Sequence, residues 1–386
     1  MKIVEKLNEL AKKNIKLLPL KLPPLKLPHL KLPRLSKWQI ILLAIVGVFL
    51  VAVLSVYGYF HSKYSQIYLE DNENENWAED YESTVNASDD LTEAMWESTV
   101  GSGLEDMDAV EATGDVVWDD DVFNILLIGT DERTDDSYSD NARGDAIMLL
   151  SINISGDAPV ISLVSLERGM GFPILRGPYA GQWDWLTHTF RYGGAELLMS
   201  EVSECLKVDV EHYVRVNFSF FTRGIDVLGG VTVNFDEKEV EVFKNHGMTD
   251  AVVGDNHLDS EQALRYARLR YIDSDWVRIE RQREIVLSAI KSCTDKSFKE
   301  LDELVDALLP LVKTNIPESK IAELMLLIPS MRDAEMQQMT IPAEDTYGHM
   351  IGMGGRSLFA VDFETNSQIL QEFLYPQKSE SEDTAK

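Results

Sequence analysis

The chain has 386 residues, with 36 Lys and Arg against 65 Asp and Glu, so its formal net charge is −29. A charge of that sign argues against a general nucleic-acid binder, which needs basic surface to neutralise phosphates. The hydrophobic fraction of 45% excludes a chain that is disordered throughout. The two cysteines, Cys205 and Cys293, exclude a cysteine-built zinc or iron–sulfur site and leave either one disulfide or two free thiols.

The N-terminal segment, residues 1–37, is a basic tail within an otherwise acidic protein. Residues 1–38 carry +8, and the remaining residues carry −37. Residues 20–34 repeat the pattern Leu-Lys-Leu-Pro-x three times, and a proline at every fifth position favours an extended, polyproline-like chain. The tail is interpreted either as a docking or lipid-surface segment or as a spacer that only fixes topology.

Residues 38–60 form an apolar stretch of 23 residues without a charge, which is long enough to span a bilayer. The stretch starts late and lacks the small-residue cleavage site of a signal peptide, so we expect an uncleaved transmembrane helix. A buried core helix is the alternative. Because Lys and Arg precede the stretch, the positive-inside rule places the N-terminus in the cytoplasm. The sequence therefore predicts a single-pass protein of the cell membrane whose remaining chain is extracellular.

Residues 61–121 form a strongly acidic segment. Between Tyr64 and Asp121 there are 19 Asp and Glu and no Lys or Arg. Such a segment repels itself, so it is predicted to be an extended or partly helical stalk. Calcium binding at its DNENEN run is the weaker alternative, since the run lacks the glycine and terminal glutamate of a calcium loop.

The globular domain is predicted to cover residues 122–376, with a disordered polar tail at residues 377–386. Its strand patterns are residues 123–130, 146–153, 159–166, 212–218, 231–235 and 358–362. Its helical patterns are residues 193–206, 219–230, 260–268, 275–293, 300–314 and 318–331. Strands mixed with helices of this length favour an α/β domain whose sheet is covered on both faces.

An arginine cluster stands out against the acidic background. Residues 265–283 contain six arginines and no lysine, and a guanidinium binds phosphate oxygens bidentately while keeping its charge at any relevant pH. On a helix that starts near Asp275, the residues Arg278, Arg281 and Gln282 share about one third of the circumference, beside an apolar stripe. The pattern predicts a ligand with a diphosphate head and an apolar tail, bound at the edge of an apolar cavity.

Two carboxylates flank the loop after the first predicted strand. Asp131 follows Gly129, where that strand ends, and Asp145 precedes the next strand. If they converge on one hard cation, they would bind Mg²⁺ and bridge it to phosphate oxygens, and Arg143 would face the same phosphates. The alternative is that each acidic residue is solvated in a loop rich in aspartate.

Other familiar catalytic motifs are absent from the sequence. It contains no P-loop, no GxSxG nucleophile elbow, no HExxH zinc motif and no GxGxxG after a strand. His188 and His212 are the histidines in the strongest part of the pattern, and a lone histidine is usually structural. We therefore expect no covalent catalysis by a Ser–His or Cys–His arrangement.

The order of these motifs resembles the LytR-CpsA-Psr (LCP) family of bacterial cell-envelope proteins. After the tail and anchor come NILLIGTD, RxD before a strand, SxxR after the next strand, LGGV, HLDSEQALRYARLR and DxxRxxRQ. The resemblance implies a three-layer α/β/α domain with a central mixed sheet and an apolar pocket for a polyprenyl chain. It also implies an enzyme that uses Mg²⁺ or Mn²⁺ to transfer teichoic acid, capsular or other wall polysaccharide from a polyprenyl-pyrophosphate carrier to peptidoglycan.

The resemblance also implies roles for individual residues. Asp131 and Asp145 would hold the metal, and one of them would be the base for the attacking hydroxyl. Pyrophosphate binding would fall to Arg143, Arg168, Arg268, Arg270, Arg278 and Gln282. The expected catalytic set is Asp131, Asp145, Arg143 and Arg268. Two further residues would support these arginines, namely Asp275 and Arg281.

One departure from the family pattern concerns Arg168. The family usually has Pro-Arg-Asp where this chain has Glu167-Arg168-Gly169, so the acidic partner is either missing or displaced to Glu167. Three functions use the same pocket and remain open at this point: a glycopolymer transferase, a polyprenyl-pyrophosphate hydrolase, and a non-enzymatic polyprenyl-phosphate-binding regulator. The expected partners are the lipid-linked glycan, peptidoglycan and the cytoplasmic membrane, with no nucleic acid.

Overall fold

The computed structural model describes residues 58–59, 61–62, 64, 68–69, 100, 103–130, 144–156, 158–269, 272 and 274–376. The predicted tail, most of the predicted span 38–60 and the C-terminal residues 377–386 lie outside these ranges, as do the DNENEN run, Asp131, Arg143 and Arg270. Within the described ranges, no helix is long and apolar enough to cross a membrane.

The described residues form strands and α-helices that alternate along much of the chain. The strands are β1 (Tyr68–Leu69), β2 (Val122–Thr130), β3 (Gly144–Asn153), β4 (Val160–Leu166), β5 (Gly171–Pro173), β6 (Trp183–Trp185), β7 (His212–Val216), β8 (Val231–Phe235), β9 (Gly254–Leu258), β10 (Lys313–Thr314), β11 (Glu335–Ile341), β12 (Tyr347–Ile351) and β13 (Ser357–Val361). The helices are α1 (Leu186–Leu206), α2 (Phe218–Leu228), α3 (Glu237–Asn245), α4 (Ser260–Ala267), α5 (Asp275–Thr294), α6 (Phe298–Leu308), α7 (Glu318–Leu327) and α8 (Phe363–Leu374).

A seven-stranded mixed sheet has the order β1-β10-β7-β2-β3-β4-β11. Strand β2 runs parallel to β7 and antiparallel to β3, and β4 runs antiparallel to β3 and parallel to β11. The register of β2 and β3 shifts between Gly129 and Thr130, so that Thr130 pairs with Gly144. The loop between these two residues therefore leaves and re-enters the sheet at the same end of these two strands, next to Asp145.

Helices cover both faces of this sheet. On one face, Leu126 and Ile128 of β2 belong to a core shared with α1 and α8. On the other face, Phe123 of β2 packs with Ile290 of α5 and Leu324 of α7. Burial on both faces explains why β2 has a nearly continuous apolar sequence, in place of the alternation typical of a half-exposed strand. The predicted α/β domain with a central mixed sheet is confirmed.

A second core lies beside the sheet and includes the start of the arginine-rich segment. The antiparallel strands β8 and β9 pack with α2, α3 and α4 around Phe235, Phe243 and Tyr266. Helix α4 begins with a capping box, in which Asp259 and Gln262 each accept from the other's backbone N–H. The box satisfies N–H groups that a helix start leaves unpaired, and it fixes where α4 begins. The helix ends at Ala267, and Arg268 follows it.

Several elements differ from the patterns read in the sequence. The helix predicted to start at residue 193 starts at Leu186, and it is interrupted at Gly193 and Gly194, where Gly194 has φ of 62°. The helix predicted for residues 300–314 ends at Leu308, ahead of Pro310, and Lys313–Thr314 pair in the sheet. Strands β11 and β12 were not predicted, because their sequences lack a clear period of two.

The described part of the predicted acidic stalk packs on the domain. Strand β1 pairs in parallel with β10 at the sheet edge, and Val100 is fully buried in the main core. Isolated bridges join Val110 to Asp362 and Val117 to Val208. The domain therefore begins well before the predicted boundary at Val122, because pairing at the sheet edge satisfies backbone groups that an extended chain would leave to water.

The two cysteines are free thiols. Cys205 lies in α1 and Cys293 in α5. Burial raises the pKa of both thiols, so they stay protonated and behave as small apolar side chains. Of the two expectations that the sequence left open, the structure has the free thiols.

Candidate phosphate-binding site

Four charged side chains converge where β3 begins, β4 ends and α5 begins. Arg168 Nη1 donates to Asp145 Oδ1 at 3.1 Å, and Arg168 Nε lies 3.4 Å from Asp275 Oδ2. Arg278 Nη2 donates to the same Asp275 oxygen at 2.8 Å. One carboxylate therefore bridges two guanidinium groups, which places two positive charges side by side.

Both guanidinium groups are removed from water. The side chains of Arg168 and Arg278 are 5% and 2% exposed. Burial, followed by the positive charge of Arg168, lowers the pKa of Arg278 to about 10, while Asp275 opposes that shift. Arg278 nevertheless keeps its charge at neutral pH, so the pair presents a dehydrated positive surface that favours a phosphate anion.

Glu167 lies behind this pair and has no exposed surface. Its Oε1 accepts from Gly169 N at 3.3 Å, and its Oε2 has no hydrogen-bond partner in the described part of the chain. Burial, and then repulsion from Asp275, raises the pKa of Glu167 to about 8, against the pull of Arg168 and Arg278. Glu167 therefore holds its proton at neutral pH, and the acidic partners of Arg168 are Asp145 and Asp275.

A narrow cleft of about 200 Å³ opens at this cluster. Its polar lining consists of Asp145, Arg168, Arg278 and Gln282. Its apolar lining consists of Ala146, Ile147, Met148, Leu166 and Ile279. The juxtaposition of arginines with an apolar wall agrees with the sequence interpretation. The 200 Å³ or so includes open solvent and leaves essentially no room for a water molecule, whereas ligand pockets typically offer about 300 Å³ or more, so the cleft must open before a ligand can enter.

The remaining residues of the DxxRxxRQ segment turn to different neighbours. Gln282 Nε2 donates to Ala267 O at 3.2 Å. Arg281 is buried, pairs through Nε with Glu239 of α3, and donates from Nη1 to Leu269 O at 3.2 Å. Arg281 thus holds the backbone that follows α4, as expected for a residue that supports the other arginines.

Arg283 is a structural residue that sequence reasoning left without a role. Its guanidinium donates to Ser165 Oγ of β4 at 3.1 Å and to Met339 O of β11 at 3.0 Å. It also donates to Thr340 Oγ1 and to Gln338 Oε1. These bonds hold α5 against the sheet and so set the distance of Arg278 from it. No signal in a single sequence separates such an anchoring arginine from a ligand-binding one.

Arg268 stands apart from the cleft. It follows α4, is exposed, and has its guanidinium carbon 5.3 Å from the centre of the Phe218 ring. Arg270, Arg143 and Asp131 lie outside the described residues. The structure thus brings together Asp145, Arg168, Asp275, Arg278 and Gln282 of the predicted set.

Of the two expected metal ligands, Asp145 lies within the described residues, and its position suits a metal ligand. Its carboxylate is 36% exposed and lines the cleft, and carboxylate oxygen is the donor that Mg²⁺ prefers. Among the described residues, no three His, Cys, Asp or Glu side chains form a metal-binding group. Magnesium commonly takes one or two protein carboxylates and completes its shell with water and phosphate.

An α/β domain that sets paired arginines and carboxylates beside an apolar cleft is typical of proteins that bind a phosphorylated ligand with an apolar part. The chain belongs to the LytR_cpsA_psr family, whose model matches residues 82–373. The family resemblance read from the motifs is confirmed.

Curated relatives in this family are named as transferases. The chain is 32% identical over 226 residues to the polyisoprenyl-teichoic acid–peptidoglycan teichoic acid transferase TagT of Bacillus subtilis, a match covering 57% of this chain and 68% of that protein. It is 32% identical over 197 residues to TagU, of the same printed activity, from Enterococcus faecalis, covering 50% of this chain and 61% of that protein. The matched region thus covers about two thirds of the length of TagT and somewhat less of TagU.

Solved structures have the same fold. TagT bound to LI-WTA is 25% identical, with a TM-score of 0.51, over 69% of this chain and 94% of that chain. A Streptococcus agalactiae protein is 24% identical, with a TM-score of 0.54, over 66% of this chain and 88% of that chain.

Proposed function

We propose that this protein transfers a polyisoprenyl-linked glycopolymer, of the teichoic acid class, to peptidoglycan. The observation that carries the proposal is the buried pair Arg168 and Arg278, bridged by Asp275 at the mouth of a partly apolar cleft. The relatives named as polyisoprenyl-teichoic acid–peptidoglycan transferases support the choice of substrate class. Capsular and other wall polysaccharides are the alternative polymers.

The two arginines would bind the pyrophosphate of the lipid carrier. Because they are dehydrated and held by carboxylates before the ligand arrives, their charge needs little reorganisation as negative charge builds on the leaving phosphate. Gln282 lines the same cleft and offers an amide to a phosphate oxygen. The apolar wall would contact the first part of the polyprenyl chain, which requires the cleft to widen beyond its present volume.

The two loop carboxylates would act on the other side of the phosphates. Asp131 and Asp145 would hold Mg²⁺ or Mn²⁺, which supplies positive charge to the phosphate oxygens when bound. One of the two carboxylates would accept the proton of the acceptor hydroxyl as it attacks phosphorus. Arg143, Arg268 and Arg270 complete the proposed set as further phosphate ligands.

The placement of the protein follows from the apolar stretch. Residues 38–60 would be its single membrane span, with the N-terminus in the cytoplasm and the catalytic domain outside. The residues around the end of that span contact the domain directly: Tyr59 OH donates to Asp302 Oδ1 at 2.6 Å, and His61 Nδ1 lies 3.1 Å from Glu318 Oε2.

To test this proposal, the full-length protein is incubated in detergent with lipid-linked glycan, peptidoglycan oligomer and Mg²⁺. A product that carries both glycan and peptidoglycan is expected. Release of free glycan would show a hydrolase instead, and tight lipid binding without turnover would show a regulatory protein. Arg168→Lys should lose transfer, because lysine cannot form the bidentate contact. Arg265→Lys, which alters a partly exposed arginine paired with Glu261, is the matched control.

A further inference from the structure

Three side chains outside the arginine cleft form a hydrogen-bonded series. His349 of β12 has Nδ1 2.9 Å from Asp106 Oδ1 and Nε2 3.0 Å from Ser357 Oγ of β13. These are the contacts of an acid with a histidine, and of that histidine with a serine, found in Ser-His-Asp active sites. From the sequence we expected no such chemistry, because a lone histidine is usually structural and the chain has no GxSxG motif.

The bonding pattern fixes the protons. An ionised Asp106 can only accept, so the proton between it and His349 belongs to Nδ1. When His349 is neutral, its Nε2 carries a lone pair and accepts from the Ser357 hydroxyl. A neutral histidine that accepts from a serine and is oriented by a carboxylate has the arrangement of a general base beside its nucleophile.

Backbone pairing holds Asp106 against His349. Met107 N donates to His349 O at 2.9 Å, and His349 N donates to Glu105 O at 2.8 Å. This close approach depends on Gly348, because a Cβ there would lie 2.5 Å from Met107 Cβ and 2.8 Å from Glu105 O. The acid is therefore positioned by main-chain bonds on both sides of it, although its own side chain is 94% exposed.

The serine is fixed from the opposite side. Trp185 Nε1 donates to Ser357 O at 2.7 Å. The loop before Ser357 is closed by Gly352 N, which donates to Arg356 O at 2.8 Å. Gly354 and Gly355 in this loop have φ of 68° and 81°, a left-handed conformation that favours glycine, and Gly355 N donates to Gly352 O at 3.2 Å. These bonds keep the loop next to the serine closed.

We propose that Ser357, His349 and Asp106 form a second active site, which hydrolyses exposed carboxylic esters. Ser357 Oγ attacks the ester carbonyl carbon and passes its proton to His349 Nε2. The ester C–O bond then breaks, and the alcohol leaves with that proton. Water cleaves the acyl-serine in the same way, with His349 taking a proton from water and returning it to Ser357 Oγ. The products are an alcohol and a carboxylic acid.

The exposure of the site defines its substrate and its rate. The His349 side chain is 16% exposed and Ser357 is half-buried, so a small acyl group on a larger molecule can reach the hydroxyl. Water around Asp106 weakens its hold on the histidine, so Asp106 is a positioning residue of modest weight. None of the three residues lines the arginine cleft, so the activity is independent of the proposed glycopolymer transfer.

The test treats the full-length protein in detergent with a fluorophosphonate probe and, separately, with p-nitrophenyl acetate. We expect labelling at Ser357, located by peptide mass, and ester hydrolysis that falls at least 100-fold in Ser357→Ala and His349→Gln. Asp106→Asn, a substitution at an exposed side chain, should lower the rate about tenfold. Ser330→Ala, at an exposed serine that donates to Leu327 O, should match the wild type.

The outcomes separate this site from the arginine cleft. Absence of probe labelling in folded wild-type protein, or equal labelling in Ser357→Ala, would overturn the proposal. Hydrolysis at the wild-type rate in His349→Gln would do the same. Binding of farnesyl pyrophosphate should be unchanged in Ser357→Ala, and transfer of glycopolymer should persist there, so failure of one proposal is visible while the other stands.

Discussion

Glu167 offers a sharp test of the electrostatics at the phosphate-binding site. Its carboxyl is fully buried, and burial raises its pKa from 4.5 to about 8. The folded protein therefore keeps a proton that the unfolded chain releases above its ordinary pKa. Stability must fall as the pH rises from about 4.5 to about 8, because the unfolded state binds fewer protons over that interval.

The size of the effect follows from the shift. Each pKa unit corresponds to about 1.4 kcal/mol, so the interval costs roughly 5 kcal/mol in total and about 3 kcal/mol by pH 7. Glu167→Gln keeps an oxygen that can accept from Gly169 N and stays neutral at every pH. We expect the variant to equal the wild type near pH 4.5 and to exceed it increasingly toward pH 8.

The assay is urea unfolding of both proteins at pH 5, 7 and 9, with Glu261→Gln as the control. The Glu261 side chain is 86% exposed, so that variant should follow the wild-type pH dependence. Parallel curves for wild type and Glu167→Gln would refute the reasoning. A variant less stable than wild type at pH 7 would show instead that Glu167 is ionised at neutral pH and pairs with Arg168 or Arg278.

Three further predictions concern residues that the structure places in distinct roles. Asp275→Asn removes the carboxylate between two buried guanidinium groups, so urea unfolding should show a loss of about 3–5 kcal/mol; a loss below 1 kcal/mol would contradict that role. Arg268→Lys should abolish glycopolymer transfer while leaving the melting temperature nearly unchanged, because the side chain is exposed and lysine also keeps a cation near the Phe218 ring; wild-type turnover would remove Arg268 from the phosphate ligands. Gly348→Ala should cost about 1–3 kcal/mol by overpacking against Met107 and should also slow fluorophosphonate labelling about tenfold, as Asp106→Asn does; unchanged labelling would show that the segment adjusts without displacing Asp106.

Much of the fold was readable from local patterns. The apolar run of β2, the strand at Val231–Phe235 and the helix from Asp275 were predicted to within about a residue, because their burial patterns and caps are local properties. The short strands β1 and β10 escaped prediction, since two-residue strands exist only through pairing with a neighbour. The interruption of α1 at Gly193 and Gly194 was likewise hidden behind a helical pattern.

The candidate site was predicted in part. The choice of arginine over lysine and the DxxRxxRQ spacing pointed to Arg278 and Gln282, and both line the cleft with Asp145 and Arg168. Helical spacing alone placed Arg281 on the same third of the helix. In the structure Arg281 pairs with Glu239 of α3, because long side chains on one face can turn toward different neighbours.

The sequence by itself determined the family, the α/β class and the chemistry of a phosphate-binding arginine cluster, because these depend on residue type and short-range spacing. Only the tertiary structure decided which arginines face the cleft and which anchor α5, since that depends on which carboxylates and carbonyls lie within reach. It also decided that Glu167 is fully buried and protonated. It also brought Asp106, His349 and Ser357 together. Asp106 is 243 positions from His349, and Ser357 is 8 positions from it, so the three meet only because β12 pairs with β13 and with the segment around Asp106.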